Sequence, residues 1–178
     1  PTGEAFAVAG ELLRRLAVPA PAGVPRLADV AAALAAALPE RWERAGRPMD
    51  KHLVDTACTL TRELGHDTGE LLIHTDLHDA NILAAEREPW LAIDPKVVVG
   101  EPAFSVAPLL WRRIDIMTVP GELAAHLDTL CAAAALDRER VRAWSLVRCL
   151  DYWLWGLSVG LTEDPLRCAR VVDWLGWR

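Results

Sequence analysis

At Gly69 the hydrophobic period of this chain changes, and after Gly100 it changes back. Before that point apolar residues recur every three or four positions. Phe6, Ala9, Leu13 and Leu16 fall on one helical face, and Val30, Leu34 and Leu38 mark an Ala-rich second helix read as ending at Pro39. Leu53, Ala57, Leu60 and Leu64 mark a third, opening near Pro48 and stopping at Gly65. The Pro/Ala/Gly run over 19–25 reads as a linker. Between 69 and 100 the apolar residues come as short runs instead, at 71–73, 81–84 and 90–93, separated by polar turns; that is the pattern of small strands forming a hairpin-like pair behind a loop. Helical spacing then returns. Leu123, Leu127, Leu130 and Ala134 share a face, Asp137 suits the N-cap of a long Trp-rich helix through Trp155, and a last helix covers about 165–174. The fold class is α+β, mostly α, with a short β-hairpin in the middle that carries most of the polar irregularities.

A length of 178 residues with 52% hydrophobic content suits one domain, or one lobe of a larger one, and excludes a disordered chain. A net charge of −6 argues against a nucleic-acid partner and fits a cationic one. The most apolar stretch, 143–161, is interrupted by Arg148 and Asp151, so it reads as a buried helix and not a membrane span. Cys58, Cys131, Cys149 and Cys168 are widely spaced with no CxxC pair, as in idle thiols of a reducing cytoplasm, and no secretory signal is present. Trp144, Trp153, Trp155 and Trp174 are assigned to the core, and His52, His66 and His126 to surface or packed positions.

The informative stretch is His74-Thr-Asp76-Leu-His78-Asp-Ala-Asn81, followed by Asp94-Pro95 at the end of the third run. Two carboxylates and one amide thus stand at the rims of adjacent short strands. Phosphoryl transfer uses such a set: one carboxylate orients the attacking hydroxyl, while a second carboxylate and a neutral amide oxygen hold magnesium against nucleotide phosphates. The spacing is that of a kinase catalytic loop, H-x-D-x-x-x-x-N, with a later strand ending in Asp. Two other readings stand beside it. His74, Asp76 and His78 alternate along the chain and, with Asp94, would suit a metal-dependent hydrolase, which leaves Asn81 without a role. A non-catalytic helical binding module is the third, against which the intact His-Asp-Asn-Asp set speaks.

Beyond the motif, the sequence resembles the aminoglycoside phosphotransferases. Within them it is most similar to the aminoglycoside/hydroxyurea antibiotic resistance kinases, the group containing streptomycin 6-phosphotransferases. The resemblance rests on the His74–Asn81 segment and on Trp90-Leu-Ala-Ile-Asp94-Pro-Lys96-Val-Val-Val-Gly100-Glu-Pro102. It implies a protein-kinase-like C-terminal lobe: residues 1–68 as the helical part after the hinge, 69–100 as the catalytic loop and metal-binding strands, and 101–178 as the helical substrate-binding part. It implies ATP as co-substrate, Mg2+, and a small cationic hydroxylated acceptor. Asp76 is then the catalytic carboxylate, Asn81 and Asp94 the metal ligands, and His78 a phosphate contact. His74 is a structural residue of the loop, and Lys96 is either phosphate-facing or solvated, the second reading being preferred. Asp151, breaking an apolar stretch, must be paired or face a cleft and is the substrate-binding candidate. Glu101, Asp115, Glu163, Asp164 and Asp173 are read as solvated helix charges. The family's glycine-rich loop and strand Lys have no counterpart here, since Lys51 is the sole lysine before Lys96, so roughly a hundred further residues are expected upstream.

Overall fold

Seven helices surround two small antiparallel sheets in the computed structural model, which describes residues 2–177. The first helix, α1 (Thr2–Leu16), packs along α5 (Pro120–Ala134), and Gly10 sets their separation: a Cβ there would lie 2.7 Å from the Leu130 carbonyl oxygen. The second helix, α2 (Leu27–Arg44), runs through Pro39 instead of stopping at it. Proline has no N–H for the carbonyl four residues back, which is that of Ala35. The Cys58 thiol of α3 (Lys51–Gly65) donates to this freed oxygen at 3.6 Å, so packing compensates for the missing donor. Asp50, not Pro48, opens α3; its carboxylate accepts from the His52 N–H.

Strand pairing departs from the order of the apolar runs. The larger sheet has β2 (Leu71–His74) at its centre, between β1 (Val18–Pro19) and β5 (Val97–Gly100), with Leu71 opposite Gly100 and His74 opposite Val97. Neither β1 nor β5 was expected. The 19–25 run is tied to this sheet at both ends, Ala20 N–H donating to the Glu70 carbonyl and Val99 N–H to that of Pro25. The second sheet is a hairpin of β3 (Ile82–Ala84) and β4 (Trp90–Ala92), with Leu83 opposite Leu91. The polar turn over 75–81 therefore leaves one sheet and enters the other. Gly100 ends β5 against the first residue of α2, where a Cβ would come within 2.5 Å of the Leu27 Cβ.

The core lies among the helices. From α4 (Ala107–Arg113), Leu110 is fully buried, as are Leu123, Leu127 and Leu130 of α5 and Trp144 and Leu146 of α6 (Arg138–Ser158). Asp137 caps α6, accepting the Arg140 N–H at 2.8 Å. The last helix, α7 (Glu163–Trp174), packs against α6. Trp144 meets Phe104 edge to face at 5.1 Å, whereas Trp155, assigned to the core from sequence, is 46% exposed and stacks on Tyr152. The helical carboxylates are paired and not simply solvated. Glu101 binds Arg140 through two hydrogen bonds and accepts from the Trp144 indole; Asp115, Glu163 and Asp164 all pair with Arg167. The four cysteines are buried and free. No described helix is long and apolar enough to cross a membrane.

Candidate active site

The turn between the sheets is held from inside by His74. Its Nε2 lies 3.0 Å from the Ile93 carbonyl, which can only accept, and its Nδ1 lies 3.2 Å from the Asp76 N–H, which can only donate. Those partners fix the neutral Nε2–H tautomer. His74 is thereby the buried peg joining the loop to the end of β4. Thr75 adds a second tie: its N–H and its hydroxyl both donate to the Lys96 carbonyl, at 2.8 and 2.9 Å.

Asn81 closes the turn. Its N–H donates to the His78 carbonyl at 2.9 Å, and its side-chain Nδ2 donates to the Asp76 carbonyl at 2.9 Å. The Asn81 carbonyl in turn accepts the Ile93 N–H at 2.9 Å, placing Asn81 beside the residue that precedes Asp94. With the donor end of the amide engaged, Asn81 Oδ1 has no hydrogen bond among the described residues. Asp94 is exposed on a bend at φ +52°, also without a partner among them. The amide oxygen of Asn81 and the free carboxylate of Asp94, carried on segments joined by that backbone bond, are hard donors of the kind magnesium prefers, so the residue types present fit that ion.

The Asp76 carboxylate is only partly exposed. Lys96 Nζ lies 2.6 Å from its Oδ2, and His78 Nε2 lies 3.9 Å from Oδ1. Burial alone would raise the Asp76 carboxyl, but the Lys96 hydrogen bond and charge, with His78 and Arg148 behind them, hold it below the ordinary aspartate value. Burial pushes the His78 imidazole down, against the pull of Asp76. Its Nε2 faces the Asn81 amide at 3.4 Å, and its Nδ1 is buried with no partner.

This geometry removes the hydrolase reading of His74, Asp76, His78 and Asp94. The expected alternation needed a strand, but β2 ends at His74, and both nitrogens of that ring are taken by backbone groups. Among the described residues, no group of three or more His, Cys, Asp or Glu is placed to hold a metal ion. Lys96, for which the sequence left phosphate-facing and solvated readings with the second preferred, pairs with Asp76. Asp151 is not in the turn: it forms an ion pair with Arg41 of α2, and burial pushes its carboxyl up against the pull of Arg41 and Arg148.

One residue of the site was missed. Arg148 donates through its guanidinium to the Thr75 carbonyl at 2.9 Å and lies over the Phe104 ring at 4.6 Å, so a buried cation backs the turn. Its signal was available, because a charge inside the apolar 143–161 stretch needs a partner, just as Asp151 does. Two cavities are nearby: one of about 290 Å³ is bordered by Phe6, Trp90 and Arg113 and reaches the turn at Asp79, and one of about 530 Å³ is bordered by Arg41, Leu154 and Trp155. Neither is lined by Asp76, Asn81 or Asp94; of these Asn81 is buried, Asp76 partly exposed and Asp94 exposed.

Comparison with known proteins gives a consistent result. Residues 2–160 match the family model described as aminoglycoside/hydroxyurea antibiotic resistance kinase. A hydroxyurea phosphotransferase of Kitasatospora aureofaciens is 39% identical over 166 residues, covering 93% of this chain and 48% of that protein. Streptomycin 6-kinases of Streptomyces griseus and Streptomyces glaucescens are 38% and 36% identical, each covering 89% of this chain and 53% of their own length. The chain thus spans about half the length of the curated relatives it matches. No solved structure matches it significantly.

Proposed function

The chain belongs to the aminoglycoside/hydroxyurea antibiotic resistance kinase family, and from that premise we propose that the complete protein transfers the γ-phosphoryl group of ATP to a hydroxyl of an aminoglycoside-type antibiotic. Streptomycin is the first candidate acceptor and hydroxyurea the second, after the named relatives. We read this chain as the C-terminal lobe of a protein-kinase-like fold, working in the cytoplasm, with residues 1–68 following the hinge, 69–100 bearing the reaction and 101–178 shaping the acceptor site.

The observation that carries the reading is the split use of Asn81, its side-chain nitrogen donating to the Asp76 carbonyl and its amide oxygen left free, on a segment whose backbone is bonded to the residue before Asp94. Asn81 and Asp94 would hold magnesium, which when bound gathers and neutralises the phosphate oxygens. Asp76 does the rest by position. Its carboxylate, kept ionised by the surrounding cations, accepts the proton of the attacking hydroxyl and aligns that oxygen with the phosphorus. His74 sets the height of Asp76 through the backbone. The exposed Leu83 and Ile93 offer a flat apolar surface for a nucleotide base. His78, whose Nε2 faces the Asn81 amide and the Asp76 carboxylate, contacts phosphate. Asp151 serves the acceptor by exchange: a guanidinium or ammonium of the antibiotic replaces that of Arg41.

The test is Mg-ATP turnover by the complete protein with streptomycin, hydroxyurea and other hydroxylated amines, beside Asp76→Ala. Acceptor-dependent ADP release is expected, falling by about a thousandfold in the variant while the fold is retained. A folded Asp76→Ala protein with full activity would overturn the assignment.

A further inference from the structure

Lys96 occupies an unusual position for a surface lysine. Its backbone is clamped to the turn, its carbonyl accepting both the N–H and the hydroxyl of Thr75. Its side chain is 69% exposed, and its ammonium sits 2.6 Å from Asp76 Oδ2. The root of the side chain is therefore fixed relative to Asp76, while the charged tip can move on a four-carbon arm. An exposed ion pair of this kind adds little stability. The other basic group beside Asp76, His78, is half-buried, its Nε2 lying 3.9 Å from Asp76 Oδ1 and 3.4 Å from the Asn81 amide, on a short side chain with little reach. Arg148, though charged, is buried and committed to the Thr75 carbonyl. Lys96 is thus the mobile cation at the catalytic carboxylate.

We propose that Lys96 is a catalytic residue that transfers its hydrogen bond from Asp76 to the phosphoryl group in transit. The inference rests on the kinase reading above. In the step, the acceptor oxygen bonds to the γ-phosphorus as its proton passes to Asp76. The bond from that phosphorus to the β–γ bridging oxygen breaks, and its electron pair leaves with ADP. As Asp76 takes the proton its charge disappears, and the nearest negative charge for the ammonium becomes the equatorial oxygens of the phosphoryl group. A donor engaged more strongly in the transition state than in the ground state raises kcat without tightening substrate binding.

The experiment uses the complete protein with Lys96→Met and Lys96→Arg. Turnover is measured together with the affinity for Mg-ADP, alone and with aluminium fluoride as a mimic of the phosphoryl group in transit. Lys96→Met is expected to lose about a hundredfold in kcat with both KM values within about threefold, and Lys96→Arg to recover about tenfold. Lys96→Met should bind Mg-ADP as the parent does, but the aluminium fluoride complex about a hundredfold more weakly. A Lys96→Met protein with unchanged kcat, or one that loses Mg-ADP and the fluoride complex equally, overturns the inference while the kinase reading stands. A parent protein that turns over no acceptor overturns that reading, and this inference with it.

Discussion

The turn over 74–81 and the bend over 93–96 meet at the same site but are built in opposite ways. In the turn, His74 uses both ring nitrogens on backbone groups, Thr75 and Asn81 donate through side chain and main chain, and Arg148 holds a carbonyl from behind. In the bend, Asp94 takes a left-handed backbone conformation with its carboxylate in solvent, and Lys96 reaches out from an exposed position. The difference teaches a division of labour. On the proposed reading, a group that aligns a hydroxyl needs its backbone over-determined, whereas charges that receive phosphates need to be accessible and to adjust.

The contrast breaks most severely at His74. His74→Ala leaves the Ile93 carbonyl and the Asp76 N–H without partners in a buried place, which costs about 2–3 kcal/mol. In a protein of this size that lowers Tm by about 5–10 °C, measurable by calorimetry on the complete protein, and turnover falls with it. An unchanged Tm would mean that the turn is not pinned through this ring.

The bend responds with the other sign. Asp94→Gly relieves the positive φ and should raise stability by about 0.5–1 kcal/mol, while removing a metal oxygen and cutting turnover by about a hundredfold. Stability and activity moving apart at Asp94, and together at His74, would sharpen the comparison; a loss of both at Asp94 would break it.

The smallest effect is a pair of opposed pH slopes. The Asp76 carboxyl is lowered in the fold, so its contribution to stability is present above the ordinary value of 3.8 and is lost as pH falls below it. The Asp151 carboxyl is raised by burial, so the fold favours its protonated form; that contribution is present below 3.8 and is lost as pH rises through the raised value. Asp76→Asn should therefore gain in Tm relative to the parent as pH is lowered below that point, and Asp151→Asn should gain as pH is raised above it. Parallel slopes for the two variants would contradict the opposite environments of these carboxylates.

Much of this was legible in particular residues. Leu123, Leu127 and Leu130 announced a buried helical face, Asp137 a cap, and the spacing from His74 to Asn81 a compact polar turn with the donors phosphoryl transfer needs. Other features left weaker traces. Val97, Val98 and Val99 form a β-branched run, but one so short and so close to Pro95 that its pairing with β2 was not visible. Pro39 was read as a helix stop because the local rule is strong, yet α2 continues where a buried thiol satisfies the carbonyl it abandons. Arg148 and Asp151 were visible as charges in an apolar helix, without any indication of which partners they had.

By itself the sequence determined the helical faces, the caps and the chemical inventory of the turn, since these depend on neighbours within a few positions. Tertiary structure alone decided that β2 pairs with β1 and β5, that Lys96 meets Asp76, that Arg148 reaches Thr75 and that Arg41 claims Asp151. Each of those contacts joins residues twenty or more positions apart, where no local periodicity records the partner; strand pairing brings Lys96 to Asp76, and helix packing brings Arg148 and Arg41 to their partners.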